Sequence, residues 1–122
     1  MAELFTELLS QLVVGVDGAL GAAFIDNYGE AVQAIAAPGG DEEHLRLMGA
    51  YQGIALQTSR NVMRQLEAGA IDYYLASYVN VTFLVKALEE NYFLMLALDP
   101  EANIGQGIYR IRRAAAAFNS EI

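Results

Sequence analysis

The run Asp41-Glu42-Glu43-His44 is the densest group of proton-transferring and metal-ligating side chains in the sequence, and His44 is the only histidine. A general base or a metal centre would have to start there. Successive residues on one helical turn point in different directions, however, so four neighbours cannot close around one ion. The same residues make a good helix start: Asp41 as N-cap, with Glu42 and Glu43 complementing the positive end of the helix dipole. A serine triad would need His44 beside Ser10, Ser59, Ser77 or Ser120, and none of these stands in a nucleophile-elbow sequence. Cysteine is absent, which removes thiolate chemistry and disulfides. Glu89-Glu90 reads as a solvated hairpin tip rather than a paired-carboxylate site.

Three further patterns have a chemical reading. Gly15, Gly18 and Gly21 are glycine-rich, but they precede a strand and lack the Lys-Ser/Thr end of a nucleotide loop, so the chain is not itself expected to bind nucleotide. Arg110, Arg112 and Arg113, with Arg60 and Arg64, are the basic clusters; helix-end solvation and ion pairing explain them, and the spacing selects no arginine finger. Tyr73, Tyr74, Tyr78 and Tyr92 with Phe83 and Phe93 would suit stacking on single-stranded nucleic acid if lysine or arginine were interleaved. Only Lys86 falls among them, so strand packing is the expectation. No catalytic, metal-binding or cofactor-binding residue is predicted.

These residues sit in a chain of 122, enough for one domain spanning residues 1–122 and no second core. It is 55% hydrophobic and 18% charged, which hints at more apolar surface than one copy can hide. A net charge of −8 disfavours nucleic acid and anionic membrane surfaces as partners. The cysteine-free composition fits a reducing compartment, and Glu3 stands where a secretory signal would be basic. With no stretch of about 18 apolar residues, no membrane insertion is expected and the expected location is cytoplasmic.

The positioning elements follow from periodicity. Leu4, Phe5, Leu8, Leu9, Leu12 and Val13 form one stripe of a helix over Glu3–Val14, ended at Gly15-Val16-Asp17-Gly18. Ala19–Asp26 and Glu30–Ala36 read as a hairpin around Asp26-Asn27-Tyr28-Gly29. After Ala37-Pro38-Gly39-Gly40, a long helix should run from Glu42 to Leu66, with Gly69 as its C-terminal cap. It carries two stripes. Leu45, Met48, Gln52, Leu56, Ser59, Val62, Met63 and Leu66 form one; Leu47, Tyr51, Ile54 and Thr58 form another, offset around the cylinder. Ile71–Ser77, Val81–Leu88 and Tyr92–Leu98 read as strands, joined at Tyr78-Val79-Asn80 and Glu89-Glu90-Asn91. Asn103 caps a closing helix whose inner face is Ile104, Ile108, Ile111, Ala115 and Phe118. The class is α+β, in the order helix-strand-strand-helix-strand-strand-strand-helix, with an antiparallel sheet.

That order, with Gly15-Val16-Asp17-Gly18-Ala19 followed by Asp26-Asn27-Tyr28-Gly29 and with the run from Tyr92 through Asp99-Pro100-Glu101-Ala102-Asn103-Ile104-Gly105, resembles the Roadblock/dynein light chain family over nearly the whole chain. The bacterial branch that regulates small GTPases is the nearest likeness. The resemblance implies a five-stranded antiparallel sheet with the long middle helix on one face and the two terminal helices on the other. It also implies a homodimer, or a heterodimer with a paralogue, in which middle helices pack together and third strands pair edge to edge. A small Ras-like GTPase is the implied further partner.

The residues expected at the dimer interface are Leu47, Ala50, Tyr51, Ile54 and Thr58 on the middle helix, with Tyr73, Leu75 and Ser77 on the third strand. On that strand Ile71, Tyr73, Leu75 and Ser77 should alternate with Asp72, Tyr74 and Ala76. Burying each of Leu47, Tyr51 and Ile54 is worth about 1.5–3 kcal/mol before entropy costs, and twice that in a two-fold contact. Two other functions fit the sequence: a purely structural subunit of a larger complex, as in dynein light chains, and a small-ligand sensing module in which Met48, Met63, Tyr28 and Phe24 line a cavity.

Overall fold

The computed structural model describes residues 2–122. Its elements are α1 (Ala2–Val14), β1 (Ala19–Ile25), β2 (Ala31–Ala36), α2 (Glu42–Gln65), β3 (Tyr73–Ser77), β4 (Thr82–Ala87), β5 (Phe93–Leu98) and α3 (Ile104–Asn119), with a short 3-10 turn over Glu89–Asn91. The five strands form one antiparallel sheet in the order β2-β1-β5-β4-β3. The expected α+β class, element order and layering are all present.

Each face of the sheet has its own core. On one face Phe5, Leu9 and Leu12 of α1 and Ile111, Ala115 and Phe118 of α3 pack on Ala22, Phe24, Leu84, Leu94, Leu96 and Leu98. On the other, Leu45 and Leu56 of α2 pack on Ala23, Ile25, Phe83, Val85, Phe93 and Met95. Alternate residues of β5 therefore serve opposite cores, which is why all six are apolar and buried. Phe118 is fully buried against Phe5 and Phe24, with ring centroids 5.3 and 4.8 Å away.

α2 packs chiefly over β1 and β2 and also touches β5. Two glycines set how closely it approaches. A Cβ on Gly49 would come within 2.8 Å of Ile25 Cδ1, and one on Gly21 within 2.7 Å of Leu45 Cδ2 and 2.9 Å of the Ile35 carbonyl oxygen. Larger residues there would lift the helix off the sheet. Asp41 caps the helix as expected, its carboxylate accepting from the His44 N–H at 3.2 Å. Asn103 does the same for α3 by accepting from Gln106 N–H.

Several boundaries and faces differ from expectation. The left-handed residue closing α2 is Glu67 (φ +52°), not Gly69: Ala68 N–H donates to the Met63 carbonyl and Glu67 N–H to that of Arg64, a Schellman closure. Gly69 has φ +89° two residues later. β3 begins at Tyr73, so Ile71 and Asp72 lie ahead of it. Ile71 then sits with Tyr74 and Ala76 on the α2 side, while Tyr73 packs on the α1/α3 side. The first α2 stripe also runs past its core, since Val62, Met63 and Leu66 are exposed. The sheet has ended beneath them.

Because Phe118 joins both terminal helices to the sheet, Phe118→Ala should lower the unfolding free energy by about 3–5 kcal/mol. Urea denaturation followed by circular dichroism measures this, and a loss below about 1 kcal/mol would contradict the packing described.

Candidate partner interface

The stripe Leu47, Tyr51, Ile54 and Thr58 follows the helical repeat on the side of α2 opposite Leu45, Gly49, Gln52 and Leu56, which are buried. Leu47 is 52% exposed, Tyr51 62% and Ile54 64%. Thr58 is exposed, with its hydroxyl donating to the Ile54 carbonyl, and Ala50 is half-buried on the flank. These five residues thus form one continuous, largely apolar surface that α2 does not use for its own core.

On the strand side of α2 the surface continues into a cleft of about 400 Å³, lined by Met48, Tyr51, Tyr78, Val79 and Phe83 among others. Beneath it lies a buried polar pair. Tyr74 Oη donates to Gln52 Oε1 at 2.6 Å, tying the edge strand β3 to the middle of α2. Gln52 is 7% exposed, so without Tyr74 its amide would be a buried group lacking a partner. Burial, with a smaller contribution from Tyr78, pushes the Tyr74 phenol up to about 12.

β3 pairs only with β4, leaving its outer edge free. Tyr73, Leu75 and Ser77 lie on this strand, but their side chains project to the α1/α3 side and do not meet the α2 stripe. Their link to it is the backbone edge. Leu75 is 41% exposed, and Ser77 accepts a weak bond from the Thr82 hydroxyl at 3.5 Å.

The start of the edge strand is anchored by Asp72. Its carboxylate accepts from Lys86 Nζ at 2.8 Å and Arg112 Nη2 at 2.9 Å, and the Arg112 guanidinium lies 5.0 Å from the Tyr73 ring centroid. The Lys86 hydrogen bond, with charge attraction from both cations, holds the Asp72 carboxyl below the usual carboxylate range. The anchor joins β3, β4 and α3. Sequence reasoning missed it, and nothing in the spacing of Asp72, Lys86 and Arg112 signals it. Gln52 did carry a signal: an amide inside an otherwise apolar stripe requires a partner.

The other sequence candidates fall where a structural reading puts them. His44 is exposed in the first turn of α2, and Glu42 pairs with Arg46 at 3.4 Å. Among the described residues no group of three or more His, Cys, Asp or Glu could hold a metal. The aromatic residues divide between the two sheet faces, Tyr73 and Tyr92 on one and Tyr74, Phe83 and Phe93 on the other, so they form no common platform. Met48, Met63, Tyr28 and Phe24 line no shared cavity: Phe24 is buried under α1 and α3, and the other three border three separate clefts. Among the described residues no helix is long and apolar enough to cross a membrane.

Comparison with known proteins identifies the fold. No family model and no curated protein matches the chain. A Roadblock/LC7 domain from Streptomyces avermitilis superposes with a TM-score of 0.84 over 94% of both chains at 16% identity. The chain has the Roadblock/LC7 fold. At the level of particular proteins, it is similar to MglC from Myxococcus xanthus, with 28% identity over 100% of both chains and a TM-score of 0.70. It is also similar to an MglB solved in a tetrameric arrangement, with 21% identity over 98% of this chain and 88% of that one and a TM-score of 0.78.

The Asp72 anchor has a defined pH signature. Because its carboxyl is depressed in the folded state, its contribution is complete above the ordinary carboxylate range and is lost as pH falls through that range to the folded value. The stability difference between the wild type and Asp72→Asn should therefore be present at neutral pH and shrink in acid. Urea midpoints measured across that range test it; a constant difference would show that Asp72 acts through something other than its charge.

Proposed function

We propose that this protein is a non-catalytic regulator that pairs with a second copy of itself, or with a paralogue, and presents the paired surface to a small Ras-like GTPase. One observation carries the pairing. Leu47, Tyr51 and Ile54 are each more than half exposed on the side of α2 facing away from its own sheet, and such a contiguous apolar patch marks an interaction surface. Ala50 and Thr58 extend the patch. The free edge of β3, bearing Tyr73, Leu75 and Ser77, supplies backbone donors and acceptors for a second strand. A two-fold arrangement would satisfy both features with the same residues from each copy.

The likeness to MglC and to an MglB of tetrameric arrangement supports assembly of this kind. The GTPase as further partner rests on the resemblance to Roadblock-type regulators, and the net charge of −8 favours a basic surface on that partner. The regulator would act by ordering the GTPase's own switch segments, since a bound surface biases an order–disorder equilibrium without supplying chemistry. A structural subunit would use the same pairing but show no preference between nucleotide states.

Ile54→Asp and Tyr51→Asp each place a charge in the proposed seam and should reduce the light-scattering mass to that of one chain while leaving the circular dichroism spectrum unchanged. An intact dimer mass in both variants would exclude this seam. With the wild type as bait, a Ras-like protein should be recovered preferentially in one nucleotide state. Equal recovery with GDP and GTP would assign the structural role instead.

A further inference from the structure

Ser59, Arg60 and Met63 continue the sheet-facing side of α2 beyond Leu56, yet every residue from Asn61 to Ala70 is exposed. Under this overhang lies a cleft of about 670 Å³. Met63, Ile71 and Ala87 supply apolar walls, and Arg60, Arg64 and Glu67 also line it. It is open to the inner side of the helix, away from Leu47, Tyr51 and Ile54.

The two arginines set this cleft apart. Elsewhere Arg46 bonds Glu42 and the Ala31 carbonyl, Arg112 bonds Asp72, and Arg113 bonds Tyr109. Among the described residues neither Arg60 nor Arg64 has a hydrogen-bond acceptor or an ion-pair partner, Glu67 included. Arg110 also lacks such a bond, but it lies at open surface beside Tyr109. Arg60 is partly buried, and burial pulls its pKa down; Glu67 lines the same cleft and Asp26 an adjoining one that Arg60 also borders, but neither is within ion-pair distance. A desolvated, unpaired charge is costly. With fifteen acidic residues against seven basic ones, the chain had no shortage of carboxylates to place there.

We propose that this cleft binds a small amphiphilic anion, with its carboxylate or phosphate held by Arg60 and Arg64 and its apolar body against Met63, Ile71 and Ala87. Residues four apart lie one above the other on a helix, so two guanidiniums can converge on one head group. Their forked donors suit a carboxylate or phosphate equally. Neither half of the ligand suffices alone: inorganic phosphate leaves the walls uncovered, and a neutral alcohol leaves the guanidiniums unpaired.

The test is calorimetric titration of the full chain with octanoate, octyl phosphate, octanol and inorganic phosphate, each below its micellar concentration. At least one of the two amphiphilic anions should bind one per chain, about tenfold or more tighter than octanol or inorganic phosphate. Which one binds better identifies the head group. Arg60→Gln combined with Arg64→Gln should reduce its affinity to that of octanol, and Arg110→Gln should leave it unchanged. Failure of both anions to bind, equal binding of octanol or inorganic phosphate, or an equal loss in Arg110→Gln would each overturn the proposal.

Discussion

A helix that is longer than the sheet it lies on cannot bury itself there. α2 has 24 residues, which makes it roughly 36 Å long. Strands of 5 to 7 residues extend only about 17–24 Å, and five strands spaced by about 4.8 Å span roughly 19 Å from first to last. Neither dimension accommodates the helix, so its last turns must project. The same helix also carries apolar side chains on the side opposite its sheet. The cleft beneath the overhang follows from this mismatch, and the outer stripe, which one chain leaves uncovered, is a second surface over the turns that do pack on the sheet.

The position of α2 is fixed by contacts that tolerate little change. Gly21 and Gly49 allow close approach at its N-terminal half, and the Tyr74–Gln52 hydrogen bond joins its middle to the edge strand. Removing one partner of such a buried pair leaves the other unsatisfied, at a cost of about 1–3 kcal/mol. On the opposite face, Asp72 joins β3 and β4 to α3 through Lys86 and Arg112. The exposed edge of β3 is therefore held from both sides of the sheet. A held edge is better prepared for pairing than a frayed one, since less ordering entropy remains to be lost on association.

Much of this architecture is legible in the sequence because local signals agree with the global fold. Asp41 and Asn103 cap helices, the turn around Asp26 joins a hairpin, and the unbroken apolar run of β5 reflects burial on both faces. What periodicity could not supply was where the sheet ends. The repeat that places Val62, Met63 and Leu66 in line with Leu45 and Leu56 gives direction around the helix, but nothing about whether a strand lies opposite. Ile71 was misplaced for a related reason. Alternation assigns faces only within a strand, and the chain enters β3 two residues later. The closure of α2 by Glu67 instead of Gly69 shows hydrogen bonding of the last turn outweighing the modest preference for glycine in the left-handed region. The Asp72 anchor and the Arg60–Arg64 cleft each join residues far apart in sequence, and no single segment encodes them.

The central claim is that the outer side of α2 has to be covered by another chain. Sedimentation equilibrium of the wild-type protein across a micromolar concentration series addresses it directly. The account predicts a species of twice the 13.2 kDa chain mass that dissociates only on dilution. A single 13.2 kDa species throughout, with α2 amides exchanging no faster than those of the buried β5, would contradict it.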